Sequence, residues 1–102
     1  DIQKKLVDLC REKAVCIYGY GAWGKRLGQY LAECRIPVSC VVDRQKLDTK
    51  GLPLYSPDGE LPEADVAFVA LKKGAEDIVP VLKEKIKQAR IVRVDELVGK
   101  WW

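Results

Sequence analysis

Histidine is absent from the 102 residues. That removes every acid–base or nucleophilic arrangement built on an imidazole that titrates near neutral pH. Methionine is absent as well, even at the first position, so a piece of a longer protein is expected. Cysteine is sparse, at Cys10, Cys16, Cys34 and Cys40. None of the four forms a Cys-x-x-Cys pair, and no histidine stands by to complete a zinc site. Cys16 and Cys40 fall inside apolar runs, where a free thiol behaves as a small hydrophobe. Reduced thiols and a cytoplasmic location are therefore expected, with a disulfide or metal site as the alternative.

No apolar run approaches the roughly 20 residues a membrane helix needs, so no membrane span is expected. The opening "DIQKKLVDLCREK" lacks the form of a signal peptide. Charge of one sign is also lacking: 18 basic residues face 15 acidic ones, a net charge of +3. The two signs interleave, so nothing reads as a polyanion-binding tail and no nucleic-acid partner is implied. A Tyr-x-x-x-Lys pair does not follow Tyr18, Tyr20, Tyr30 or Tyr55. Glu60 and Glu63 lie in a proline- and glycine-rich stretch, where they keep a loop soluble. No catalytic set is expected.

What is present is the patterning of one globular domain over residues 1–102, with 48% hydrophobic and 32% charged residues. Ile2, Leu6 and Leu9 or Cys10 recur at helical spacing over 2–12. "AVCIYG" (14–19) reads as a buried strand, continuously apolar as a central parallel strand is. From Ala22 to Cys34 the period turns helical, with Trp23, Leu27, Tyr30, Leu31 and Cys34 on one face. "IPVSCVVD" (36–43) is a second strand, and 52–55 a short edge strand in a loop-rich stretch. "DVAFVAL" (65–71) is another buried strand. A helix is expected from Asp77 as N-cap, with Pro80 in its first turn. "RIVRV" (90–94) closes the series, and "DELVGKWW" reads as a capping turn or short helix.

That alternation predicts an α/β fold on a small parallel sheet. Right-handed crossovers make a three-layer Rossmann-like domain with strand order 3-2-1-4-5 the simplest topology.

The stretch "YGYGAWGKR" (18–26) leaves a predicted strand and enters a predicted helix, as a dinucleotide-binding turn does. Gly19 would make the sharp turn, Gly21 would let a pyrophosphate approach the backbone, and Gly24 would let helix and strand pack closely. The exposed N–H groups and the dipole at the helix start, near Ala22, favour an anion, and Trp23 just inside the helix would offer a flat wall to a base, a sugar or a partner domain. Asp43 ends the second strand about 20 residues on, where an acid binds ribose hydroxyls and disfavours a 2′-phosphate. Arg44 beside it works in the other direction. Leu71 ends the third long strand, and Lys72 and Lys73 follow it at the carboxyl edge, where doubly wound sheets bind ligands. Each reading has a plain counterpart: a packing turn, a strand-end aspartate, a core tryptophan and solvated lysines. Trp101 and Trp102 suggest docking, onto this domain or onto another part of a longer chain.

"AVCIYGYGAWGKRLGQYL", "VVDRQK", "KGLPLYSP" and "ADVAFVAL" together resemble the small Rossmann-like modules attached to bacterial glycosyltransferases and other surface-sugar enzymes. The resemblance covers about 14–94. It implies a phosphate turn at Gly19, Gly21 and Gly24, a ribose acid at Asp43, and NAD, NADP or a nucleotide-sugar as ligand. It also implies other domains of a larger chain, or further copies, as partners. Whether the parent is an enzyme, such as a glycosyltransferase or a nucleotide-sugar epimerase or dehydratase, stays open. Tyr20 stands where the family has a small residue, so its ring would either crowd the cradle or line it. The stretch between Asp43 and Gly51 is shorter than the family's. Two other readings remain: a degenerate Rossmann-like scaffold with an unoccupied pocket, and an NAD-sensing regulator whose DNA-binding part lies elsewhere.

Overall fold

A computed structural model of the chain describes residues 2–96; Trp101 and Trp102 lie outside the described residues. The elements follow in the order α1 (Ile2–Cys10), β1 (Val15–Tyr18), α2 (Ala22–Glu33), β2 (Cys40–Val42), β3 (Leu54–Tyr55), β4 (Val66–Val69), α3 (Ala75–Lys85) and β5 (Arg90–Arg93). All five strands are parallel, in spatial order β3-β2-β1-β4-β5. That is the 3-2-1-4-5 order expected from the alternation. The chain walks outward from β1 to β3, then crosses back to place β4 on the other side of β1. This reversal opens a crevice at the carboxyl ends of β1 and β4.

The three inner strands are buried along their whole length, and their side chains alternate between two cores, as strand geometry requires. Val15, Ile17, Val41, Val66 and Phe68 face α1 and α2, meeting Leu6, Leu27 and Leu31. Cys16, Tyr18, Cys40, Val42, Ala67 and Val69 face α3, meeting Ala75, Leu82 and Ile86. Each fully buried leucine contributes about 1.5–3 kcal/mol relative to exposure. β5 closes one edge with a half-exposed pattern, Arg90 and Arg93 flanking Ile91 and Val92.

Two boundaries differ most from the sequence pattern. The second strand begins at Cys40 rather than at residue 36. The preceding residues instead finish α2: Ile36 N–H reaches Leu31 O at 2.8 Å and Arg35 N–H reaches Ala32 O at 3.0 Å. With Arg35 at φ 58°, this is a Schellman turn made without glycine, and Pro37 has no N–H to extend a ladder. The third helix begins at Ala75, capped by Gly74 at φ 82°, two residues before the expected N-cap Asp77. Asp77 and Glu76 occupy its first turn and Lys83 and Lys85 its last, matching the helix dipole. Pro80 consequently falls in the second turn, where it removes the N–H that would reach the carbonyl of Glu76. Lys85 then fixes the long loop before β4, its ammonium donating to Pro57 O and, at 3.0 Å, to Gly59 O.

Candidate functional site

The glycine turn takes its shape from three local constraints. Gly19 has φ +88°, and a Cβ there would come within 2.7 Å of Leu71 Cδ2, so a side chain is excluded by conformation and by space. A Cβ on Gly24 would stand 2.0 Å from Gly19 O; the first turn of α2 lies directly on the carbonyl that ends the turn. Around Gly21 there is open space instead: a Cβ added to it would meet nothing within 4 Å. The three glycines thus do three different jobs, and only Gly21 leaves room for something from outside.

Gly21 is also the N-cap of α2, and no side chain caps it. The first turn of α2 carries no acidic residue, whereas α3 opens with its own Glu76 and Asp77. Of these two helices, α2 is therefore the one whose positive end is left open to an external anion.

A cleft of about 420 Å³ occupies the crevice at the carboxyl edge. Of the expected site residues, Gly19, Asp43, Arg44 and Leu71 line it. Lys73, Gly74 and Asp77 from the start of α3 complete the far wall, with Tyr18, Gln45 and Ile78. Gly74 and Ile78 are not legible as site residues because the sequence pattern starts α3 too late; a glycine immediately before a helical period is the available signal.

The remaining expected residues do not line this cleft. Gly21 and Ala22 are exposed at the start of α2, two and three residues beyond Gly19. Gly24 is buried against the turn. Trp23 is half-buried and packs against the core on the α1–α2 side, with Lys72 Nζ 5.9 Å from its ring centroid. That cation–π contact, about 0.5–1 kcal/mol at an exposed site, ties the residues after β4 to the start of α2.

Tyr20 neither crowds the cradle nor lines it. Only 7% exposed, its ring lies along α2, with Cδ1 nearest Gly24 and the hydroxyl nearest Gly28. Its backbone N–H donates to Asp43 Oδ2 at 2.8 Å. The other oxygen, Oδ1, accepts from Gln45 N–H at 2.9 Å. Asp43 is thus the clasp between the glycine turn and the end of β2. A carboxylate has about four acceptor positions, so two remain for a ligand's hydroxyls.

The cysteines are all free. Cys16 and Cys40 stand opposite each other on β1 and β2, both buried; the neighbouring Cys40 sulfur and burial push the Cys16 thiol well up. Burial also raises Cys10, to about 11. Neither Cys10 nor Cys16 is a thiolate nucleophile near neutral pH. At the end of β5, Arg93 donates to both oxygens of Asp95, at 3.1 and 2.7 Å, which lowers the Asp95 carboxyl below its ordinary range. Among the described residues no group of three or more Cys, Asp or Glu is placed to hold a metal ion, and no helix is long and apolar enough to cross a membrane. Comparison with protein-family models, with curated proteins and with solved structures finds no match to this chain.

Proposed function

We propose that the chain is a nucleotide-binding module, for NAD(P) or a nucleotide-sugar, acting within or beside a sugar-modifying or glycosyl-transferring enzyme. The observation that carries this reading is the division of labour in the glycine turn. Gly19 and Gly24 are consumed by conformation and close packing, while Gly21 stands open at an uncapped helix start. The turn lies at the strand-order reversal of a parallel sheet, where such ligands bind. The pyrophosphate would take the N–H groups of Ala22 and Trp23, and the nucleoside the cleft between Asp43 and Gly74. Asp43 favours a free ribose diol, Arg44 a 2′-phosphate. The sugar-enzyme setting rests on the resemblance of residues 14–94 alone, and the free thiols fit a reducing compartment such as the cytoplasm.

A second reading, a Rossmann-like scaffold with an unoccupied pocket, draws on the clasp formed by Asp43, which already holds two backbone N–H groups.

Thermal stability against NAD, NADP, coenzyme A and UDP-sugars separates the two. A ligand at 100 times its dissociation constant adds about 2.7 kcal/mol, a shift of several degrees for a domain of this size. Gly21→Val folds, because its Cβ meets open space, and loses the shift. If no ligand stabilises the protein at millimolar concentration, the scaffold reading stands and the nucleotide reading falls.

A further inference from the structure

A second cleft, of about 510 Å³, lies between α2 and the connection from β2 to β3, separate from the cleft at the carboxyl edge. Its existence follows from the topology. Parallel neighbours β2 and β3 are usually joined through a helix, but here residues 43–53 form none. Leu47 and Leu52 of that connection pack on the α1–α2 side, and a tight turn over 49–52 holds its shape. In that turn Leu52 N–H reaches Thr49 O at 3.2 Å, the Thr49 hydroxyl reaches Leu52 O at 2.6 Å, and Lys50 and Gly51 have positive φ. The place a helix would fill beside α2 is left open.

The small residues Gly28 and Ala32 form the α2 side of this cleft, and the phenol of Tyr20 ends there. Tyr20 is more than nine-tenths buried, and its hydroxyl is the atom nearest a Cβ built on Gly28, at 3.2 Å. Among the described residues no group hydrogen-bonds that hydroxyl. A buried tyrosine hydroxyl normally finds a partner, and the core itself needs only the ring. Glycine at position 28 keeps the space over the hydroxyl clear.

Two lysines line the same cleft as this hydroxyl. Lys25 comes from α2 and Lys50 from the facing turn, and neither has an ion-pair partner among the described residues. Asp48 also lines the cleft; its Oδ1 accepts from Lys50 N–H at 2.9 Å, and its charge leaves the two lysines a net excess of one positive charge. Leu52 supplies an apolar surface beside Ala32. We infer that this cleft binds an organic phosphate about one sugar ring in size. The phosphate lies between the two ammonium groups, a ring hydroxyl meets Tyr20, and the ring rests on Leu52 and Ala32. Two cations on opposite walls suit the three oxygens of a phosphate better than a planar carboxylate, and the volume lies within the range of small-molecule sites.

The test is an amide-resolved NMR titration of the whole chain with ribose 5-phosphate, with inorganic phosphate as control. Saturable shifts at Gly28, Gln29, Lys50 and Leu52, weaker with inorganic phosphate, are expected. Tyr20→Phe should leave the melting temperature unchanged, since the hydroxyl has no protein partner, yet weaken ribose 5-phosphate about fivefold. Lys50→Gln, on an exposed turn, should weaken it by a similar factor. The inference is overturned if no shifts occur at millimolar ribose 5-phosphate, if inorganic phosphate binds equally well, or if the shifts are confined to 19–23 and 74. Unchanged affinity in both variants overturns it as well. Failure here leaves the carboxyl-edge cleft untouched, because the two sets of reporting amides do not overlap.

Discussion

Gly24→Ala tests the tightest contact in the glycine turn. The new methyl group would lie 2.0 Å from Gly19 O and 2.9 Å from Gly19 C. A carbon–oxygen contact is tolerable from about 3.3 Å, so α2 or the turn must give way by roughly 1.3 Å. Neither can do so freely. Gly19 N–H is held by Val42 O at 2.8 Å, Tyr20 N–H is clasped by Asp43, and Leu27 and Leu31 anchor α2 with no exposed surface. Overpacking of this kind costs about 1–3 kcal/mol, occasionally more. Alanine returns about 0.8–1 kcal/mol through its better helix propensity, but the first turn of a helix recovers less than its interior. An overlap with backbone held this firmly belongs at the upper end of the overpacking range, and the remaining net loss of about 2 kcal/mol lowers the melting temperature by roughly 8–16 °C in a domain this small. Gly21→Ala is the matched control. Its φ of −77° suits any residue and its Cβ meets nothing, so the change stays within about 0.5 kcal/mol. Differential scanning calorimetry of the two variants decides the matter. If Gly24→Ala melts within about 2 °C of the parent, or no lower than Gly21→Ala, the close approach is wrong.

Other perturbations probe the surroundings of that turn. Asp43→Ala leaves the part-buried Tyr20 N–H without its acceptor and should destabilise by about 1–3 kcal/mol in urea unfolding, whereas Asp43→Asn, which keeps one acceptor oxygen, costs less. Under an exposed-thiol reagent at neutral pH, half-buried Cys34 should label first, with Cys10, Cys16 and Cys40 reacting only as the protein unfolds. The Cys10 thiol has a raised folded-state value of about 11. Its contribution is therefore complete below the unfolded-state value near 8.5 and is lost as pH rises through about 11; Cys10→Ser should flatten that alkaline slope. Asp95 has the opposite sign. Held low by Arg93, it stabilises above the ordinary carboxylate value near 3.9, and this contribution disappears as pH falls through its lowered folded value; in acid unfolding, Asp95→Asn should show a shallower pH dependence than the parent.

Much of this architecture can be read from residue order. The runs "VCIY", "CVV" and "VAFV" are apolar at every position because both faces are covered, and such runs separated by a helical period dictate a parallel sheet. The three glycines have the spacing of a strand-to-helix turn, and their separate roles at Gly19 and Gly24 follow from it. What the order of residues conceals is where long-range contacts override local preference. Arg35 takes a left-handed conformation to end α2 because Ile36 must reach the core, so β2 starts late. Gly74 caps α3 although Asp77 is the better local cap. Nothing in the sequence signals that Tyr20 turns away from the cradle, since its slot is formed by Gly24 and Gly28 on the following helix. The clasp from Asp43 to Tyr20 N–H spans 23 residues and depends on the register of β1 with β2, which no local pattern encodes.

The most direct test of a working anion cradle is an amide-resolved NMR titration with NAD, NADP and UDP-glucose. Saturable downfield shifts of the Gly21, Ala22 and Trp23 amides, accompanied by Gly74 and Arg44, are expected, as is their loss in Gly21→Val. If all three ligands leave those amides unmoved at millimolar concentration while the protein stays folded, the turn only packs a helix against a strand and the nucleotide reading is wrong.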